Sequence, residues 1–271
     1  MFFRTGSAVA NRHVDEHGIV LTVRVDPAVA AATEPGHFFM VRRPGSGFPL
    51  LSRPFSIFAA DRATGDLSFL YEVIGQGTAL LAALRPGDPV TVLGPLGNAF
   101  EPDETADRHV MVAGGVGIAP FLSLAKRIAR PDRTLVLFGA RDAGRLIGAA
   151  EFEKAGVSIR LATDDGSRGH RGTSVDLLRA ELAGRGPAER WQIYACGPNP
   201  MLRAVAAVTV PGGLPCQVSL EARMACGFGA CVGCAFPVRS TSAKGYRYAL
   251  VCREGTVFDA AELDFERAGA S

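Results

Sequence analysis

Four of the six cysteines in this 271-residue chain lie close together near one end, and they define the chemistry open to it. Cys226, Cys231 and Cys234 stand at C-x4-C-x2-C spacing, and Cys252 follows after seventeen intervening residues. Two irons bridged by two sulfides need four thiolates arriving from different directions, and this spacing supplies them from one wrapping loop and one later residue. Gly227, Gly229, Ala230 and Gly233 let such a loop fold tightly and turn its N–H groups toward the inorganic sulfurs. A zinc ion on four cysteines is the competing reading. Structural zinc sites bring paired C-x2-C knuckles, and only one C-x2-C is present here.

Further stretches carry candidate binding groups. Arg53-Pro54-Phe55-Ser56 sets a guanidinium, a fixed turn and a hydroxyl in a row, and Gly75-Gln76-Gly77-Thr78 opens a short helical segment. Bare N–H groups at a helix start attract an anion, and arginine adds charge and a planar donor fork. Gly114-Gly115-Val116-Gly117-Ile118-Ala119-Pro120 is a turn that lets backbone approach a dinucleotide pyrophosphate, although Pro120 stands where G-x-G-x-x-G would place its third glycine. Cys196-Gly197-Pro198 follows a later strand, where Cys196 is either a small core residue or a neighbour of a nicotinamide ring. Asp164 and Asp165 can accept from a ribose hydroxyl and repel a 2′-phosphate, which favours NAD(H) over NADP(H) despite Arg141, Arg168 and Arg171 nearby. The five histidines are scattered and form no catalytic constellation.

To position these groups the chain changes rhythm. Between His13 and Gly97, short Val-, Ile- and Phe-rich runs broken by Gly and Pro predict strands over 20–25, 37–42, 53–60, 67–74 and 89–93, with one helix over 78–84. That pattern is a small antiparallel β-barrel. From His109, strands over 109–113, 134–138, 157–161, 191–195 and 217–220 alternate with helices over 121–129, 145–155, 174–183 and 200–208, which predicts a doubly wound parallel α/β sheet. The expected division is a barrel over 1–103, a doubly wound domain over 104–215 and a cluster-binding region over 216–271.

Composition narrows the partners. Hydrophobic content of 48% and charged content of 21% are those of a globular protein, and a net charge of +2 leaves no footprint for nucleic acid. No window reaches the roughly eighteen apolar residues of a membrane helix, and the first residues lack the apolar stretch of a signal peptide. Thiolates free to hold iron point to a reducing compartment, the cytoplasm.

Arg53-x-x-Ser56 followed by Gly75-x-Gly77-Thr78 in a barrel closed by Gly94–Phe100, then the glycine turn and Cys196-Gly197-Pro198, resemble the ferredoxin reductase superfamily. Ser219-Leu220-Glu221 leads into Met224-Ala225-Cys226-Gly227, and Val251-Cys252-Arg253-Glu254-Gly255 precedes Val257-Phe258. With these, nearly the whole chain resembles the family of electron-transfer subunits of dihydroorotate dehydrogenase B. It departs at Thr256, where proline is common, and in the long polar stretch between Cys234 and Cys252. The resemblance implies FAD held by Arg53, Pro54, Phe55, Ser56, Tyr71, Gly77 and Thr78. It implies NAD held by Gly115, Gly117, Asp164, Asp165, Gly197 and Pro198, with Cys196 at the reacting ring, and a [2Fe-2S] cluster on Cys226, Cys231, Cys234 and Cys252. It further implies an oxidoreductase subunit of a heterotetramer that takes electrons from an FMN-containing dihydroorotate dehydrogenase catalytic subunit and delivers them to NAD+. Hydride exchange moves two electrons and a cluster moves one, so a chain serving both needs a flavin. The alternatives are a small subunit of another NADH-linked complex, such as an NADH-dependent ferredoxin:NADP oxidoreductase or a hydrogenase diaphorase, and a zinc-stapled nucleotide-binding regulatory module.

Overall fold

The computed structural model describes residues 1–45 and 47–269. Its first unit is a seven-stranded antiparallel sheet built from β1 (Phe2–His13), β2 (Gly18–Arg24), β3 (Phe38–Arg42), β4 (Arg53–Ser56), β5 (Ala59–Asp61), β6 (Asp66–Glu72) and β7 (Pro89–Leu96), in the order β4-β3-β7-β1-β2-β6-β5. Helix α1 (Pro27–Ala31) follows β2, and α2 (Gln76–Ala82) follows β6. The two edge strands, β4 and β5, are separated in sequence only by Ile57 and Phe58. That link can span about 10 Å at most, so the sheet has to curl until its edges nearly meet. The link itself stitches them: Ile57 N–H donates to His37 O beside β3, and Phe58 N–H donates to Ser68 O of β6, both at 2.9 Å. A single strand over 53–60 is therefore corrected to two, on opposite edges of one rolled sheet. The interior is filled by Leu21, Val23, Phe39, Ile57, Phe69 and Val92, all buried.

The second unit alternates β8 (Arg108–Gly114), α3 (Ala119–Ile128), β9 (Thr134–Ala140), α4 (Ala149–Lys154), β10 (Ser158–Thr163), β11 (His170–Arg171), α5 (Ser174–Ala183), β12 (Trp191–Gly197), α6 (Asn199–Thr209) and β13 (Cys216–Leu220). Its sheet runs β11-β10-β9-β8-β12-β13-β16 and is parallel except for the last strand. Helices α3 and α4 cover one face and α5 and α6 the other. The order reverses between β8 and β12, and a crevice opens beyond the carboxyl ends of strands at such a point. The helix expected over 145–155 starts four residues late: Ala143–Arg145 forms a 3-10 turn in which Asp142 accepts from Arg145 N–H, and Gly148, at φ 71°, then caps the start of α4.

The carboxyl-terminal segment adds a hairpin of β14 (Ala235–Arg239) and β15 (Tyr246–Leu250), then α7 (Val251–Glu254) and β16 (Val257–Asp259). Strand β16 pairs antiparallel with β13, so residues 216–220 and 257–259 belong to the second sheet and the cysteine loop is held between them. Phe236, Val238, Ala249 and Leu263 bury into the same core as Val110 and Val112 of β8 and Met40 of β3, which ties all three units together.

Candidate cofactor clefts and cysteine loop

Where barrel and sheet meet, a cleft of about 260 Å³ opens. Pro54, Phe55 and Ser56 of β4, Tyr71 of β6 and Thr78 of α2 form one wall; Val116, Gly117 and Cys196 form the second; Glu221, Ala222, Met224 and Thr256 close the third. Apolar and aromatic surface with few polar groups suits a flat ring system. Phe55 rests on Tyr71 with ring centroids 5.4 Å apart. The Tyr71 hydroxyl donates to Asn11 Oδ1 at 3.2 Å, and burial pushes its pKa up to about 12, so it stays protonated.

Arg53 does not stand in this wall. Its guanidinium lies against Gly77, where an added Cβ would come within 2.5 Å of Nε, and it donates to Leu51 O at 2.6 Å. The Thr78 hydroxyl accepts from the N–H groups of Ile74 and Gly75 and donates to Gly75 O, so it shapes the start of α2. Cys196 is only 3% exposed. Burial first, and the nearby Glu221 second, raise its thiol well above the ordinary range, so it enters the cleft neutral, without the lowered pKa of a nucleophile. Glu221 is open to the cleft but enclosed by protein, and desolvation raises its carboxyl. Thr256 donates to Gly36 O at 3.0 Å, a bond that a proline could not make.

A second cleft, about 320 Å³, lies beside the first. It is lined by Gly114 and Gly115 after β8, Gly139 to Arg141 after β9, Asp164 after β10, Thr173 and Ser174 at the start of α5, and Pro198 and Met201. Glu72 lines both clefts, and the glycine turn divides them, Gly115 facing one and Gly117 the other. Gly117 is required by close approach: a Cβ there would stand 2.4 Å from Cys196 O. A dinucleotide lying across this turn would reach from the second cleft into the first. Of the two expected carboxylates only Asp164 faces the cleft. Asp165 folds back on its own turn, its Oδ1 accepting from Ser167 N–H and Oγ, which hold its carboxyl below the usual range. Arg145 was not anticipated: it lines this cleft, with Nη1 3.8 Å from Glu72 across the barrel boundary. Asn199 Oδ1, beside Pro198, is buried with no hydrogen-bond partner among the described residues. Both signals are tertiary and leave no mark in local sequence.

The cysteines fall in two pairs. Cys231 N–H donates to Cys226 Sγ, and Cys252 N–H donates to Cys234 Sγ, each at 3.5 Å. Desolvation would raise the Cys226 thiol, but N–H groups of Cys231, Phe228 and Ala230 directed at its sulfur outweigh that and bring it down to about 6. Burial first, and the neighbouring Cys234 next, push Cys252 up to about 12. The loop is tightly shaped: Gly227 has φ 81° and a Cβ there would strike Met40, while Val232 holds φ 51°, a conformation that a β-branched residue rarely adopts. Among the described residues no three His, Cys, Asp or Glu side chains converge on one metal ion. Two pairs of thiols suit two irons better than one tetrahedral zinc.

Comparison with known proteins agrees with this geometry. Residues 221–264 match the iron-sulfur cluster binding domain of dihydroorotate dehydrogenase B, and residues 111–207 match the oxidoreductase NAD-binding domain. The electron transfer subunit of dihydroorotate dehydrogenase B (NAD(+)) from Desulforamulus reducens is 35% identical over 241 residues, covering 89% of this chain and 90% of that protein. The subunit of the same description from Bacillus caldolyticus is 40% identical over 233 residues, covering 85% and 86%. Among solved structures, an NADH-dependent reduced ferredoxin-NADP oxidoreductase superposes with a TM-score of 0.81 at 25% identity, covering 97% of this chain and 91% of that one. A ferredoxin reductase of carbazole 1,9a-dioxygenase shares the fold, with a TM-score of 0.67 at 21% identity over 79% of this chain and 67% of that one.

Proposed function

The chain belongs to the family of dihydroorotate dehydrogenase B electron-transfer subunits, and from that premise we propose how its residues do that work. The protein is an oxidoreductase subunit of pyrimidine biosynthesis that carries electrons from a dihydroorotate dehydrogenase catalytic partner, by way of a [2Fe-2S] cluster and FAD, to NAD+. Bound FAD supplies the exchange between a hydride and single electrons. The chain supplies position and environment. Residues 1–103 and the wall over 221–224 hold the flavin, residues 104–220 with β16 hold the nucleotide, and the loop ending at Cys252 holds the cluster.

In this reading Phe55, Ser56 and Tyr71 bound the flavin ring, with Pro54 fixing the strand that presents them. Arg53, Gly77 and Thr78 set the start of α2 against the flavin's phosphates. Gly115, Gly197 and Pro198 give the nucleotide backbone room, and Asp164 accepts from its ribose. Gly117 and the neutral Cys196 line the cleft where nicotinamide and flavin would react, and they would exclude water there. Cys226, Cys231, Cys234 and Cys252 ligate the cluster. The observation that carries this reading is a shared wall. Glu221, Ala222 and Met224 line the flavin cleft and run straight into Cys226, while Thr256 lines it four residues after Cys252.

Phe228 and Val232, 49% and 61% exposed on the cysteine loop, are the surface we assign to the partner, which holds FMN and completes a heterotetramer in the cytoplasm. No helix among the described residues is long and apolar enough to cross a membrane. The test is reconstitution with the FMN-containing catalytic subunit. Dihydroorotate should then reduce NAD+, and should not do so with either chain alone. The likeness to a ferredoxin-NADP oxidoreductase keeps a second reading in view. Electron delivery from reduced ferredoxin but not from dihydroorotate would select it.

A further inference from the structure

We propose that a second ligand site lies at the end of the doubly wound sheet opposite the cofactor clefts, and that it binds a small phosphomonoester bearing hydroxyl groups. There a cavity of about 200 Å³ is lined by His109, Glu104 and three arginines, Arg127, Arg130 and Arg133. Its volume is several times the roughly 30 Å³ of one water in the liquid, so it admits more than a bare phosphate. His109 is the second residue of β8, and Gly114, at the cofactor end, is five residues on, about 17 Å along the strand.

His109 is 3% exposed, with Nδ1 3.1 Å from the Tyr194 hydroxyl and its ring stacked on that of Tyr194. It makes no other side-chain hydrogen bond among the described residues, so Nε2 is left for whatever fills the cavity. Burial holds its pKa below the usual value; the Asp103 carboxylate nearby opposes this, and Arg130 and Arg133 add to it. Arg127 and Arg130 make no ion pair among the described residues, and Arg133 reaches only its neighbour Asp132, at 3.9 Å. Arg127 complements the carboxyl end of α3, as a last-turn cation does. Arg130 and Arg133 lie beyond that helix, Arg133 closing the short 3-10 turn Pro131–Arg133. Arg130 and Arg133 both lie near enough to act on His109, and a phosphate accepts from their planar donor forks best. Glu104 on the same lining repels phosphate but accepts from a hydroxyl, which selects a phosphorylated polyol over inorganic phosphate.

The experiment uses the holoprotein with NAD+ in excess, so that the nucleotide cleft is filled, and titrates ribose 5-phosphate, inorganic phosphate and ribose by calorimetry. We expect saturable one-to-one binding of ribose 5-phosphate, weaker competition by phosphate, and none by ribose. Arg130→Ala and Arg133→Ala should each weaken binding about tenfold, while NADH still bleaches the flavin at the original rate, which shows that the variants are folded. Glu104→Gln should narrow the gap between ribose 5-phosphate and phosphate. No saturable binding up to about 10 mM, or affinity unchanged in both arginine variants, overturns the proposal. None of these outcomes depends on the identity of the redox partner.

Discussion

At Cys226 the backbone has already prepared a thiolate: three N–H groups face its sulfur and hold its pKa near 6. That acidity is a property of the loop's shape, which Gly227, Gly229 and Val232 bend with positive φ. Cys231→Ser is expected to lose the iron and sulfide while FAD stays bound; iron and sulfide analysis with a flavin count checks this, and full cluster content would refute the ligand set. Arg53→Ala removes the guanidinium packed on Gly77 and should lower FAD retained through gel filtration, as should Gly77→Ala, which displaces the same group. His37 supplies a pH effect. Its Nδ1 accepts from Glu34 N–H at 2.9 Å, and burial lowers its pKa below 6.5. The folded state thus favours the neutral ring, and its contribution is complete above about 6.5 and is lost as pH falls through the lower folded value. Thermal melts between about pH 7.5 and 5.5 should show a shallower decline in His37→Gln than in the native chain; identical slopes would dismiss the assignment. The cysteines were legible in sequence because their spacing is local. The roles of Arg53 and Thr78 were not, because both are decided by what α2 packs against.

The elements around the sites are fixed by contacts of this kind. The glycine turn after β8 forms a 3-10 segment, Gly115–Ile118, that sits directly on the end of β12. Gly117→Ala forces these strand ends apart and should slow flavin reduction by NADH about a hundredfold with FAD still bound; a rate near that of the native chain would show that the contact does not align the nucleotide. Phe58 is buried in the link that joins the two barrel edges and packs into the core beneath α3. Phe58→Ala should cost about 3–5 kcal/mol, read as a lower denaturant midpoint. The β-α alternation of the second unit was plain in the sequence, since each parallel strand is a continuous apolar run and each helix starts near a Gly, Pro or Thr. β1 escaped notice for the opposite reason. It is paired on both sides, but among its residues only Ala8 is buried, so it carries no apolar period. Pairing, not burial, makes it a strand.

At the scale of the whole molecule, two clefts and a cysteine loop meet through shared walls: Glu72 and the glycine turn between the clefts, and residues 221–224 between the first cleft and the cysteine loop. The order of the three units was readable from motifs, whereas the return of β16 to the second sheet was not, because three residues carry too little pattern to place a strand. Asp164 faces the second cleft with Arg141 and Arg145 on the same lining, so a ribose bound there would meet both signs of charge. NADH should reduce the flavin faster than NADPH, and Asp164→Ala should narrow the difference; equal native rates would remove Asp164 from that role. The central claim is that this one chain connects nicotinamide to cluster. It is tested most directly by adding NADH anaerobically to the purified holoprotein and following the flavin and iron-sulfur absorption bands together. The account predicts that both bands bleach in the native chain and that only the flavin band does so in Cys231→Ser. A native cluster that stays oxidised after the flavin is fully reduced would contradict it.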